Sequence, residues 1–458
     1  MKSKKLVCLG LSAVLLASVA AFAGCNFANT QKPGDDVDAD DNKEASVFLT
    51  VGVHQNSAEK RLMQTWINAF QKKYPEVSIT ITKQYSAMSS LIEYKTGGTL
   101  PDICWTAGDQ HAEYSDPVNM GYFRNLADEE KFEGSAQFYS GFYDELIETT
   151  QLYQGEGGRW FVPRDYNRLV VYYNKTIFDA MDIPVPTDDW TWEQFNETCQ
   201  KLMTKTNDVK CNKAIEWRNW APLHYTMVKN FGASYVGSDG RFEFDSAEGK
   251  ACYDWYRNWI RSSAVVGEGG SFSAYSSRSA ATPAAAMLVD TYAKLADYAA
   301  RAETNNWELN VAAFPNFKQE DGSDGYTGVG CSGYAITTTC TDETKLEWAW
   351  KFLKWCMSPE GYDTVAGIGV LCPALKEMNN SGEWLNYDVG GTVINYNAYV
   401  ATSSNDLDVN FQSVLPSTTD QGHLVSCALT MWNNAPTTDW NSAISKFKST
   451  YESATGIK

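Results

Sequence analysis

Three strand-like segments separated by two helix-like ones, all between residues 47 and 105, leave this chain few folds. Val47 to Val53 alternates apolar and small residues, the period-2 pattern of a strand. Asn56 then stands three residues before Glu59, a helix-capping pattern. Leu62, Met63, Trp66, Ile67, Phe70 and Tyr74 follow at helical spacing until Tyr74-Pro75 ends the run. Val77 to Thr82 predicts a second strand, Ala87 to Lys95 a short helix stopped at Gly97-Gly98, and Leu100 to Trp105 a third strand. Neighbouring parallel strands need a crossover, which a helix supplies, so this alternation predicts an α/β fold with a parallel sheet.

The alternation returns further on. Leu169 to Tyr173 predicts a strand, and Thr191 with Gln194 caps a helix whose Trp192, Phe195, Cys199 and Leu202 face one way. Ala247 to Ser262 predicts a helix with Cys252, Trp255, Trp259 and Ile260 on a stripe. Ala284 to Val289 and Leu309 to Phe314 predict strands, and Leu346 to Met357 a helix with Trp350, Leu353 and Met357 on its apolar face. Residues 46–458 exceed what one core usually serves. No internal repeat or second linker divides them, so two interleaved α/β lobes are expected.

The N-terminus bears on the compartment. Lys2, Lys4 and Lys5 precede an uncharged apolar run from Leu6 to Phe22, and Ala23, Gly24 and Cys25 follow. This is the layout of a secretory signal peptide over residues 1–24. Small residues before a cysteine resemble a bacterial lipobox, although Phe22 stands where leucine is usual. That resemblance implies cleavage before Cys25 and its lipidation; the other reading is an ordinary cut near Ala23. Residues 25–45 hold Asp35, Asp36, Asp38, Asp40, Asp41 and Glu44 with hardly a bulky apolar side chain, the composition of a flexible tether. The expected location is the extracellular face of a bacterial cell membrane.

Removing residues 1–24, with three lysines and no acid, moves the formal charge from −18 to −21. So acidic a surface argues against nucleic acid as a partner. Nine cysteines remain beyond Cys25: Cys104, Cys199, Cys211, Cys252, Cys331, Cys340, Cys356, Cys372 and Cys427. Their odd number, without CxxC spacing, fits neither a disulfide framework nor a structural zinc site, and buried free thiols are expected. No HExxH, GxSxG or P-loop pattern occurs, so no metal, cofactor or catalytic residue is assigned.

Four segments carry a family likeness. They are Trp66-Ile67-Asn68-Ala69-Phe70 with Tyr74-Pro75-Glu76-Val77; Leu100-Pro101-Asp102-Ile103; Pro163 with Tyr172-Tyr173-Asn174-Lys175, Phe178, Pro186 and Trp190 to Phe195; and Ala349 to Lys354 with Ser358-Pro359-Glu360. In their order and spacing across residues 47–375, the chain resembles the solute-binding proteins of ABC importers that include the maltose-binding proteins. The resemblance implies two lobes joined by hinge strands that close on a ligand. It implies a carbohydrate ligand, transmembrane permease subunits as partners, no enzymatic activity, and a monomer.

The likeness also carries candidate ligand residues. Asp109 follows the Pro-Asp aspartate at the family's spacing, as a sugar hydroxyl acceptor or a solvated loop acid. Trp105 offers a ring for the apolar face of a sugar or packs in the core, and Thr106 replaces an aromatic of some relatives. Gln55 follows the first strand in a loop that lines the family's cleft, with Asn56 better suited to capping. Asn167 replaces a glutamate of the maltose-binding relatives; Asp165 compensates nearby or forms a structural ion pair with Arg164. Tyr292 stands one position short of a stacking tryptophan, beside Asp290. Trp217, Arg218 and Trp220 form a polar-aromatic cluster in an irregular stretch. Gly328, Gly330, Ser332 and Gly333 lie where the family's backbone nears its ligand, or are turns. Most of the sixteen tryptophans read as core, and those expected in loops, such as Trp105, Trp217, Trp220 and Trp432, are the informative ones. A secreted glycosidase would share the aromatics and acids and is the alternative from another class, though no glycosidase motif appears; within binding proteins a polyamine is another ligand class.

Overall fold

The computed structural model describes residues 45–106, 115–149, 158–204, 211–267, 269–273, 284–382, 384, 394–400, 404–415 and 417–458. Cys25, the tether and Asp109 lie outside the described residues.

The opening alternation is realised. The strand Val47–His54 pairs in parallel with Val77–Tyr85 and with Ile103–Thr106. The intervening helices are Ser57–Lys73 and Ser90–Thr96. Asn56 caps the first, its side chain accepting from the Ala58 amide at 2.7 Å. Glu59 does not close the expected box, because Arg164 takes its carboxylate. Leu62, Met63, Trp66, Ile67 and Phe70 are buried at helical spacing. Two antiparallel strands that the sequence pattern did not reveal, Gly333–Ile336 and Val162–Pro163, extend this sheet to five among the described residues. Gly333 allows that approach: a Cβ there would sit against the carbonyl oxygen of Val162.

A second sheet has the order Leu309–Ala313, Val170–Asn174, Ala285–Asp290, Lys213–Trp217, Val265–Gly267. Both its faces are covered, and the pleat divides its residues: Val170 and Tyr172 enter one core, Val171 and Tyr173 the other. Thr191 and Gln194 cap the helix Trp192–Thr204 reciprocally, and Trp192, Phe195, Cys199 and Leu202 are its buried face as expected. On Ala247–Ile260 the expected stripe is rotated. Gly249, Cys252, Tyr253 and Tyr256 are buried, while Trp255 and Trp259 lie half-buried and stack at 5.4 Å.

A small sheet of Asn405–Asp408, Tyr326–Gly330 and Asn167–Arg168 lies where the chain passes between the two larger ones. Val162–Pro163 leads through Asn167–Arg168 into Val170–Asn174, and Tyr326–Gly330 leads back to Gly333–Ile336. Each large sheet is thus built from non-contiguous segments, a two-lobe α/β architecture with crossing strands. Trp432, expected in a loop, is instead buried in the helix Thr418–Asn434, where it meets Tyr253 and Tyr256. All nine described cysteines are free and buried. Burial pushes the Cys104 and Cys340 thiols up to about 12.

His224 gives the fold an acid limit. Its ring is buried against Trp432 at 5.1 Å, pairs with Asn219 Oδ1 at 3.0 Å, and burial lowers its pKa to about 3. Above pH 6.5 the imidazole is neutral in both states and contributes no pH dependence. Between pH 6.5 and about 3 the unfolded chain takes up a proton that the folded one refuses, so stability falls as pH falls. We expect this group to cost about 1 kcal/mol between pH 6.5 and 5.5, because the unfolded imidazole is already half-protonated at the upper end. Urea unfolding of wild type and His224→Gln at both pH values measures it: the stability gap between them must shrink by that amount at the lower pH. A constant gap would show that His224 titrates normally.

Candidate functional site

Strand register aligns the predicted residues along one line. Gly52 pairs with Cys104, which sets His54 and Gln55 beside Trp105 and Thr106. Thr106 faces Gly333, and Gly333 faces Pro163 on its other side. From Pro163 the chain runs through Asp165 to Asn167, which pairs with Gly330. Val170 then pairs with Asp290, and the adjacent strand ends at Trp217, followed by Arg218. Strand ends of one sheet, the crossing strands and strand ends of the other therefore follow one another, the usual place for a ligand crevice in α/β folds.

At the first sheet the rings of His54 and Trp105 are 4.6 Å apart. Tyr85 lies 6.0 Å from Trp105 by ring centroid and donates its hydroxyl to the Trp105 carbonyl at 2.6 Å. The indole is 6% exposed, and its Nε1 is buried without a partner. Gln55 is exposed and reaches Ser86 at 3.1 Å.

In the crossing segment the two predicted polar residues part ways. Asp165 is fully buried and already engaged: it receives Arg164, the Ser332 amide at 2.8 Å and the Ser332 hydroxyl at 3.2 Å. It forms the structural ion pair with Arg164, buried away from solvent, rather than standing free as a compensating ligand group. Asn167 is also buried, but its Oδ1 has no partner. Nearby Gly328 answers to packing. A Cβ at Gly328 would meet Val409 Cγ1 at 2.8 Å and the Thr226 hydroxyl closer still.

At the second sheet Arg218 Nη2 lies 3.0 Å from Asp290 Oδ2 and donates to the Val289 carbonyl at 3.3 Å. Its guanidinium covers the Trp220 ring at 4.8 Å, and its Nε is buried without a partner. Asp290 also receives the Tyr298 hydroxyl at 2.7 Å and the Thr291 amide at 2.9 Å. Trp217 is not in the irregular stretch expected for it: it ends a strand inside the core, 4.6 Å from Trp259, with Nε1 lacking a partner. Tyr292 is buried edge-on to Trp384 and Tyr399. The sequence reading passed over Tyr298, whose helical position gave no polar signal.

Burial without hydrogen bonding costs a polar atom about 1–3 kcal/mol. Trp105 Nε1, Asn167 Oδ1, Trp217 Nε1 and Arg218 Nε thus leave three donors and one acceptor unmatched along the line. Aromatic rings with a few convergent polar atoms suit binding of a polar solute. Residues 65–388 match the family of bacterial extracellular solute-binding proteins. The chain belongs to that family. As a solute-binding protein it is no enzyme, and its fold agrees with those of solved binding proteins. The substrate-binding protein of Listeria monocytogenes solved with cycloalternan superposes with a TM-score of 0.67 at 16% identity, covering 90% of this chain and 100% of that one. The GacH receptor of Streptomyces glaucescens, solved unliganded and with acarbose, gives 0.67 at 16%, covering 91% and 100%. UgpB of Mycobacterium tuberculosis, solved with glycerophosphocholine, gives 0.65 at 17%, covering 90% and 98%. Among curated proteins none matches this chain in sequence. Among the described residues no helix is long and apolar enough to cross a membrane.

Proposed function

We propose that this solute-binding protein is anchored through a lipid on Cys25, captures a mono- or oligosaccharide, and hands it as a monomer to the permease of an ABC importer. The observation that carries the ligand class is the set of partnerless buried polar atoms between aromatic rings. Sugar hydroxyls donate and accept together, and their ring faces are apolar, so one molecule satisfies both features. The charge of Arg218 is already matched by Asp290, which favours a neutral sugar over an anion. Cycloalternan and acarbose, bound by the two relatives above, belong to this ligand class. The signal layout before Cys25 and the acidic tether support anchoring.

Calorimetric titration against maltotriose and a panel of plant and host oligosaccharides tests the ligand class. A saturable heat without a new sugar product supports a transport receptor; product formation supports a glycosidase; silence across the panel turns the search to polyamines. The mass of the N-terminal peptide from membranes tests the anchor. Trp105→Ala is expected to weaken sugar binding at least tenfold, about 1.4 kcal/mol. Unchanged affinity in the folded variant removes Trp105 from the site.

A further inference from the structure

Glu216 has no part in the binding site drawn above, yet its surroundings are unusual. It is the penultimate residue of the strand Lys213–Trp217 and is buried at 3% exposure. Among the described residues no lysine or arginine forms an ion pair with it. Its carboxylate instead accepts three backbone amides: Gly269 and Gly270 on Oε1, both at 3.0 Å, and Phe272 on Oε2 at 2.9 Å. Charge-assisted bonds of this kind are about twice as strong as neutral ones and fix backbone orientation. Gly270 has φ +72°, a left-handed conformation that suits glycine in such a wrapped turn.

The turn places Phe272 in a buried slot, edge-on to Tyr298 at 5.5 Å and to Trp307 at 5.3 Å. Tyr298 donates its hydroxyl to Asp290 Oδ2, the oxygen that also holds Arg218. Arg218 in turn lies over Trp220. We infer that Glu216 is a positioning residue: by pinning the turn at Gly269–Ser273 it seats Phe272 against Tyr298, and so fixes the Asp290–Arg218 pair at the line of strand ends. Its wider consequence, for ligand affinity, rests on the carbohydrate reading given above. The carboxylate is required because it presents two acceptor oxygens to three donors. A glutamine keeps the shape but replaces one acceptor with an NH2 group that confronts an amide.

Two ligand-free measurements on the full chain test this. Amide hydrogen exchange, followed by peptide mass, is expected to accelerate across residues 269–273 by about tenfold or more in Glu216→Gln. Phenylglyoxal labelling of Arg218, located by peptide mass, is expected to speed up roughly threefold in the same variant. Phe272→Leu, which keeps the carboxylate, is expected to raise Arg218 labelling while leaving exchange at Gly269 and Gly270 near wild type, and it carries the test if Glu216→Gln does not fold. Unchanged exchange in Glu216→Gln overturns the anchoring role. Faster exchange with unchanged Arg218 labelling in both variants overturns the positioning role. Maltotriose titration separates this inference from the ligand assignment. Wild type that binds, with Glu216→Gln weaker by about fivefold at an unchanged melting temperature, supports both. Equal affinities overturn the positioning role alone. Wild type that binds no sugar counts against the carbohydrate reading, while exchange and labelling still decide the role of Glu216.

Discussion

Arg164→Ala is expected to lower the unfolding free energy by about 3–5 kcal/mol, the usual cost of stripping one partner from a buried ion pair. Arg164 is 2% exposed and stands between two carboxylates, Asp165 beside it in sequence and Glu59 across from it. Glu59 lies in the first turn of the helix Ser57–Lys73, so the guanidinium ties that helix to the crossing segment. The carbonyl of Arg164 accepts the Tyr362 hydroxyl at 2.6 Å, and that hydroxyl accepts the Ala374 amide at 3.0 Å. The alanine variant leaves the buried Asp165 and the partly exposed Glu59 without their cation and unties the helix from the crossing segment. Urea unfolding at pH 7 measures the loss, and an unchanged midpoint at equal slope would mean that the pair contributes no net stability. Glu59→Gln should cost much less, because Glu59 is partly exposed and Arg164 keeps Asp165.

The same residues show how far the sequence could be read. Asn56 and Thr191 announced helix starts because capping is local: the acceptor and the amide it serves are two or three residues apart. The parallel sheet was legible for a similar reason, since its strands and crossover helices alternate along the chain. Gly333–Ile336 was not, because two glycines, one serine and a cysteine precede its short apolar run and its partners, Ile103–Thr106 and Val162–Pro163, lie far earlier in sequence. The C-terminal helices Thr418–Asn434 and Trp440–Thr455 carried a usable signal in Ser417 with Asp420 and Asp439 with Ser442, both realised as caps. That signal would have placed Trp432 on a helix.

The candidate site divides along the same lines. Trp105 was singled out as the ring of a strand that leads to the cleft and Arg218 as the charge of a polar-aromatic cluster, and both end with an unmatched buried atom. Asp165 carried the same kind of signal but spends its oxygens on Arg164 and Ser332. An acid in a sequence looks alike whether it serves a ligand or a backbone amide. Only the third dimension counts its donors, which is also why Glu216 gave no hint of its three amides.

Arg218→Ala is expected to weaken sugar binding by about thirtyfold, near 2 kcal/mol, the worth of a hydrogen bond to a charged group. The guanidinium leaves its Nε unbonded in a buried position, and one sugar hydroxyl there would gain a charge-assisted bond. Truncation removes that donor and leaves the buried Asp290 carboxylate with only Tyr298 and the Thr291 amide. It also uncovers the Trp220 ring, which loses its cation. Arg218→Lys separates these effects. An ammonium restores the charge beside Asp290 but not the planar fork, so it should recover stability more fully than affinity. Calorimetry with the sugar that wild type binds, alongside thermal unfolding of each variant, reads both. Equal affinity for wild type and a folded Arg218→Ala would place the ligand elsewhere along the line and shift the search to Asn167 and Gln55. Lost stability without lost affinity would make the pair a support for the lobe alone. The outcome that fits the unmatched Nε is an affinity loss larger than the stability loss, because the donor has a partner only when the sugar is bound.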